Sequence, residues 1–143
     1  MRLFGHPIHP MLVHFPIALW SVATAAHVAS AAGLTGSFDM IAKFANGGGL
    51  VMATLAMVPG LLELRNILPQ SEAMRVATRH MMMMATAWFC FLLAMMLSIS
   101  TDPSAAKFGP AACAVVGFLL MGVGGWYGGR LVYEFGVAVK DRT

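Results

Sequence analysis

Charge is scarce in this sequence. Of 143 residues only 10% are Asp, Glu, Lys or Arg, against roughly a quarter in soluble domains. Apolar residues make up 59%, and the mean hydropathy is +0.76. So few charges cannot clothe a soluble surface, which excludes a water-soluble globular protein and leaves an integral membrane protein of one compact domain. Cysteine is nearly as rare. Cys90 and Cys113 both sit inside apolar runs, and no CxxC, CxxCH or zinc-ribbon spacing is present. Iron–sulfur ligation and covalent c-type haem within the chain are thereby excluded, and both thiols read as small fillers of helix interfaces. A basic stripe interleaved with aromatics is missing too. The formal net charge is +3 and the pI about 9.2, but the Lys and Arg residues mostly flank apolar runs, so no nucleic-acid partner is expected. Nor is there a nucleophile–base pair or an open catalytic metal motif, and an enzyme acting alone is the least supported reading.

What the chain does have is apolar length. Four runs, 11–33, 40–64, 80–99 and 110–135, can each cross roughly 30 Å of hydrocarbon at about 1.5 Å per residue. Short connections such as "LTGSF" make sequential helices antiparallel neighbours, so the expected fold is an all-α, integral membrane four-helix bundle. The longest connection, "RNILPQSEAMRVATR", has room for a short amphipathic helix opened by Pro69, Ser71 and Glu72. The opening stretch imitates a cleavable leader, but its apolar run is longer than a leader's core and is expected to be retained as the first span.

Arg2, Arg65, Arg75, Arg79, Arg130, Lys140 and Arg142 fall on one side of such a bundle, and only Lys43 and Lys107 on the other. Positive residues stay in the cytoplasm, so both termini are expected there, in a bacterial inner membrane. The fourth span carries Gly117, Gly122, Gly124, Gly125, Gly128 and Gly129. Spacings of four put small residues on one face, for close helix packing or close approach of a flat cofactor.

Imidazole is crowded where the first span begins. "GHPIHPMLVHFP" holds His6, His9 and His14 among Pro7, Pro10 and Pro16. Pro16 has no N–H and clashes with the carbonyl four residues back, so a break near Leu12 and an irregular segment in the bundle mouth are expected. Pro59 should kink the second span just above Glu63. The topology brings His14 and His80 to one membrane depth, near Glu63, Arg130, Tyr133 and Glu134. Ionisable groups inside a span mark function by default, and one histidine from each of two helices is a common way to hold b-type haem. His14 and His80 are the preferred axial ligands, with His9 or His6 as substitute or second site. Glu63 or Glu134 would orient a ligand, and Arg130 or Arg79 would pair with haem propionates. A rival is a transition-metal cage of His6, His9, His14 and His80 for zinc, iron or copper. His27, near the other end of the first span, reads as packed or hydrogen-bonded. The thirteen methionines include the run 81–84, whose sulfurs spread around a helix instead of converging on copper.

"GHPIHPMLVHFPIAL" at the start and "GGWYGGRLVYEFGVAV" at the end resemble a bacterial four-span membrane-protein family of unknown function. That family opens with G-H-P-x-H-P-x-x-V-H-F-P and closes with G-G-x-L-x-Y-x-x-G-V. The resemblance covers nearly the whole chain and includes "VPGLLEL" and His80. Where the family usually has Asp this chain has Glu63, and where it usually has His this chain has Phe135. Some members carry fused Rieske-type or cytochrome c-like domains, which implies electron transfer, with quinone or another redox protein as partner besides membrane lipid. A third reading is an accessory subunit of a larger membrane complex, its histidines only hydrogen-bonded.

Overall fold

A computed structural model describes residues 2–3, 6–34, 36–99 and 108–139. The topology charges Lys107, Lys140 and Arg142 lie outside these residues, as does the imidazole of His6. The chain begins with a two-residue antiparallel ladder, β1 (Arg2–Leu3) with β2 (His6–Pro7). All else that is regular is helical: α1 (Ile8–Leu12), α2 (His14–Ala31), α3 (Ser37–Leu64), α4 (Glu72–Ser98) and α5 (Phe108–Tyr133). α1 and α2 together form one span, Ile8–Ala31, and the other three helices are equally long and apolar enough to cross a membrane.

The opening stretch differs from the irregular segment expected of it, because it is already helical from Ile8. Pro7 is the N-cap, and Pro10 and Pro16 fall in the first turns of α1 and α2. First-turn N–H groups have no intrahelical partner, so a proline there gives up nothing. The one discontinuity is at Val13, beside the Leu12 carbonyl that Pro16 cannot serve. Bonds from Val13 N–H to His9 O (3.1 Å) and from Ile17 N–H to Val13 O (3.2 Å) carry the chain across it.

Local chemistry sets the other ends. α2 stops in a Schellman motif: Leu34 N–H reaches Ala29 O and Gly33 N–H reaches Ser30 O, both at 3.0 Å. Gly33 takes the positive φ of 99° that the motif needs. Asp39, in the first turn of α3, accepts Gly36 N–H at 3.1 Å and a short bond from Ser30 Oγ, which ties the α2–α3 hairpin shut. Ser71 caps α4 by accepting Met74 N–H at 3.1 Å. No separate amphipathic helix precedes the third span. The segment from Glu72 is the first two turns of α4, which runs unbroken past His80.

The largest interfaces are α4 with α5 and α2 with α3; α2 with α5 and α3 with α4 are smaller. α2 and α4 therefore stand across a diagonal, and their large side chains meet at the bundle axis. Trp20 stacks on Phe91 with ring centroids 4.4 Å apart and planes 6° from parallel, and both are fully buried. Around them the core is mostly alanine, with Ala23, Ala87, Ala94 and Ala114 fully covered. Helix association in lipid has little hydrophobic drive, so close approach of small residues supplies it through dispersion. A second cluster, Val76, Ala77 and Leu131 with Leu64, Tyr127, Phe135 and Val137 against it, closes the end where α3 stops and α4 starts.

Candidate functional site

Just inside that end, two imidazoles meet. The rings of His9 and His80 have centroids 6.4 Å apart and lie nearly perpendicular, at 89°. Each is held the same way. His9 Nδ1 is 2.8 Å from the carbonyl of Ala56 on α3, and His80 Nδ1 is 2.8 Å from the carbonyl of Gly124 on α5. A carbonyl only accepts, so in both rings Nδ1 carries the hydrogen and donates it, and Nε2 is left with its lone pair. That is the tautomer a metal ligand needs, fixed by the kind of backing bond that orients ligating histidines.

The glycines explain how the rings fit. A Cβ on Gly60 would stand 3.0 Å from His9 Cε1 and Nδ1, and one on Gly128 3.2 Å from the same atoms of His80. Each ring thus lies over a glycine one helical turn beyond its accepting carbonyl. Pro59 contributes on α3. It lies inside the helix and cannot donate to the Leu55 carbonyl, which loosens the turn where Ala56 receives His9.

These pairs belong to a larger correspondence between the two hairpins. Eleven residues separate His9 from Trp20, and eleven separate His80 from Phe91, the two pairs that meet on the axis. On the partner helices, Gly49 lies under Trp20 and Gly117 under Phe91. Seven residues further on come the accepting carbonyls of Ala56 and Gly124, and four beyond them Gly60 and Gly128. The hairpins make the same contacts in the same register, so His9 and His80 are equivalent across an approximate twofold axis.

The ring that meets His80 is therefore His9, and not His14 as expected. Five residues advance a helix by about 140° at roughly 100° each, and His14 is on the exposed side. Glu63 or Glu134 was expected to orient a ligand, but the Nδ1 atoms of His9 and His80 are bonded to backbone carbonyls instead. Glu63 accepts from Asn66 Nδ2 at 3.4 Å. Glu134 is held by Arg130, whose Nε lies 2.8 Å from both carboxylate oxygens and whose Nη2 lies 2.6 Å from one. This keeps the Glu134 carboxyl below its usual range. Arg130 also lies over the Trp126 ring, 5.4 Å from its centroid. Arg79, on α4 immediately before His80, is exposed. His27 is buried near the opposite end of α2. No group of three or more His, Cys, Asp or Glu stands together among the described residues.

Sequence reasoning weighed each histidine by depth and missed the repeat. The signal was present as matching intervals: glycines eleven apart in the second and fourth spans, and a histidine eleven before a large aromatic in the first and third.

Compared with known protein families, residues 5–141 match the family described as "Predicted membrane protein (DUF2231)". No curated protein and no solved structure matches the chain.

Proposed function

The chain belongs to the DUF2231 family of membrane proteins, and from that premise and the imidazole geometry we propose that it is a b-type haem protein of the bacterial inner membrane, carrying electrons with His9 and His80 as axial ligands. The observation that carries this reading is the pair of rings, each with Nδ1 spent on a carbonyl and Nε2 left to ligate. His9 and His80 would hold the iron through bonds of about 2 Å each, and their ring centroids, 6.4 Å apart, are close enough for both to reach one ion. The donor count favours haem over a bare ion: a structural zinc site takes four protein ligands, and the His9–His80 pair supplies two. Haem needs only two, because the porphyrin supplies the other four.

Within that reading each residue has a definite task. Ala56 and Gly124 fix the tautomer and aim of the ligands, and Gly60 and Gly128 give the rings room. Bound haem would supply a one-electron couple whose potential the two imidazoles and the low-dielectric surroundings tune. The exposed guanidinium of Arg79 would pair with a propionate, whereas Arg130 would first have to exchange its bond to Glu134. The excess of positive charge at the imidazole end supports a cytoplasmic orientation of that end and of both termini. Quinone or a second redox protein would be the electron partner.

The test is an absorption spectrum of purified protein, oxidised and then reduced with dithionite. A Soret band with resolved reduced bands is expected in the wild type and in His14→Ala, and its loss in His9→Ala and His80→Ala. A colourless protein with stoichiometric metal would move the reading to an ion site. A colourless, metal-free protein would leave an accessory subunit of a larger membrane complex.

A further inference from the structure

Away from the imidazole pair, three buried side-chain atoms among the described residues have no hydrogen-bond partner: Trp20 Nε1, Asn46 Oδ1 and His27 Nε2. They share one seam. On α2 the buried side chains Trp20, His27 and Ser30 follow spacings of seven and three, a single helix face, while Thr24 beside them donates to the Trp20 carbonyl and turns toward Ala114 on α5. α3 runs antiparallel along it, with Gly49 at Trp20 and Asp39 bonded to Ser30. That register puts Asn46 between those two contacts, opposite Ala23. Asn46 is 0% exposed and has its Nδ2 on the carbonyl of Phe91 at 3.1 Å.

Leaving a buried donor or acceptor unmade costs about 1–3 kcal/mol each, and a seam meant to stay dry would be filled with alanine like the rest of this core. The three atoms are a donor, an acceptor and an imidazole nitrogen at successive levels, a set that water can bridge. A cleft of about 420 Å³, lined by Gly36, Asp39, Met40, Lys43 and Phe44 on the α3 side and by Met95 of α4, touches the seam at Asp39, which is bonded to Ser30.

We propose that the α2–α3 seam binds a file of internal water. It enters at the cleft beside Asp39, passes His27, and ends at the pair Asn46 Oδ1 and Trp20 Nε1 in the middle of the membrane. The last water accepts from the indole N–H and donates to the amide oxygen. The stacked Trp20 and Phe91 rings close the file, so aqueous access from the loop face stops short of His9 and His80. This inference holds whatever the imidazole pair ligates.

Two measurements on the full chain in nanodiscs test it. Radiolytic hydroxyl labelling in ¹⁸O-water marks side chains that touch water, internal water included. Trp20, 0% exposed, should carry clear label in the wild type, and Asn46→Leu should lower that label at least about fivefold by removing one of the water's two anchors. Exchange of the Trp20 indole N–H with D₂O, followed by NMR on wild-type protein, decides the matter even where Asn46→Leu fails to fold. Exchange on the timescale of exposed indoles supports the file. An unlabelled Trp20 with an N–H protected as long as the core amides would overturn it.

Discussion

Adding one methyl group at Gly49 tests whether the diagonal contact at the bundle centre holds the fold. In Gly49→Ala the new Cβ would meet Trp20 Cδ1 closer than any real contact, Nε1 at 2.5 Å and Cγ at 3.1 Å. These are atoms of the rigid part of an indole and have no flexible end to swing aside. The ring is 0% exposed and stacked against Phe91 at 4.4 Å, so yielding on one side means pressing on the other. Overpacking a filled core costs about 1–3 kcal/mol, while replacing helical glycine by alanine returns about 1 kcal/mol. With the clash at the severe end, a net loss of about 1–2 kcal/mol is expected. The control is internal: a Cβ on Gly122 or Gly125 meets nothing within 4 Å, so Gly122→Ala and Gly125→Ala keep only the helix-propensity gain. Thermal denaturation in one detergent, read by loss of the monodisperse peak, should rank Gly49→Ala below wild type and both controls at or above it. If Gly49→Ala melts with the controls, the Trp20–Phe91 stack is not the close-packed centre of the bundle.

Gly60→Ala and Gly128→Ala should act on the imidazoles more than on stability. The methyl would press on a ring that can yield only by stretching a 2.8 Å bond to its carbonyl, a loss of about 1 kcal/mol that the propensity gain offsets. Melting should then change little while the ¹⁵N shifts of the affected histidine move, and equal effects in the two variants would reflect the twofold equivalence; a change at one ring alone would refute it. Ser71→Ala removes the only side-chain cap on α4 and should cost about 1 kcal/mol, visible as faster hydrogen exchange at Met74 and its neighbours with the lower end of α4 otherwise intact. Unchanged protection at Met74 would show that the Ser71 cap is not what starts the helix.

Composition and run length determined the membrane class, the four spans and their antiparallel order, because burying so few charges and so many apolar residues in water has no other solution. The resemblance of the two terminal motifs likewise pointed to the family that residues 5–141 match. Helix ends were less legible. The first span opens at Ile8 because its prolines occupy positions where an N–H is not needed, and the third opens at Glu72 because the Ser71 cap outweighs the polar composition of its first turns. Which histidine faces His80 was decided only by the tertiary structure. His9 and His14 are both near the start of one span, and depth cannot separate them. Helical phase can: it turns His9 toward the axis, and the Ala56 carbonyl beside Pro59 catches its ring. The equivalence of the two hairpins likewise appears only once His80 and the Gly124 carbonyl are seen to repeat that arrangement.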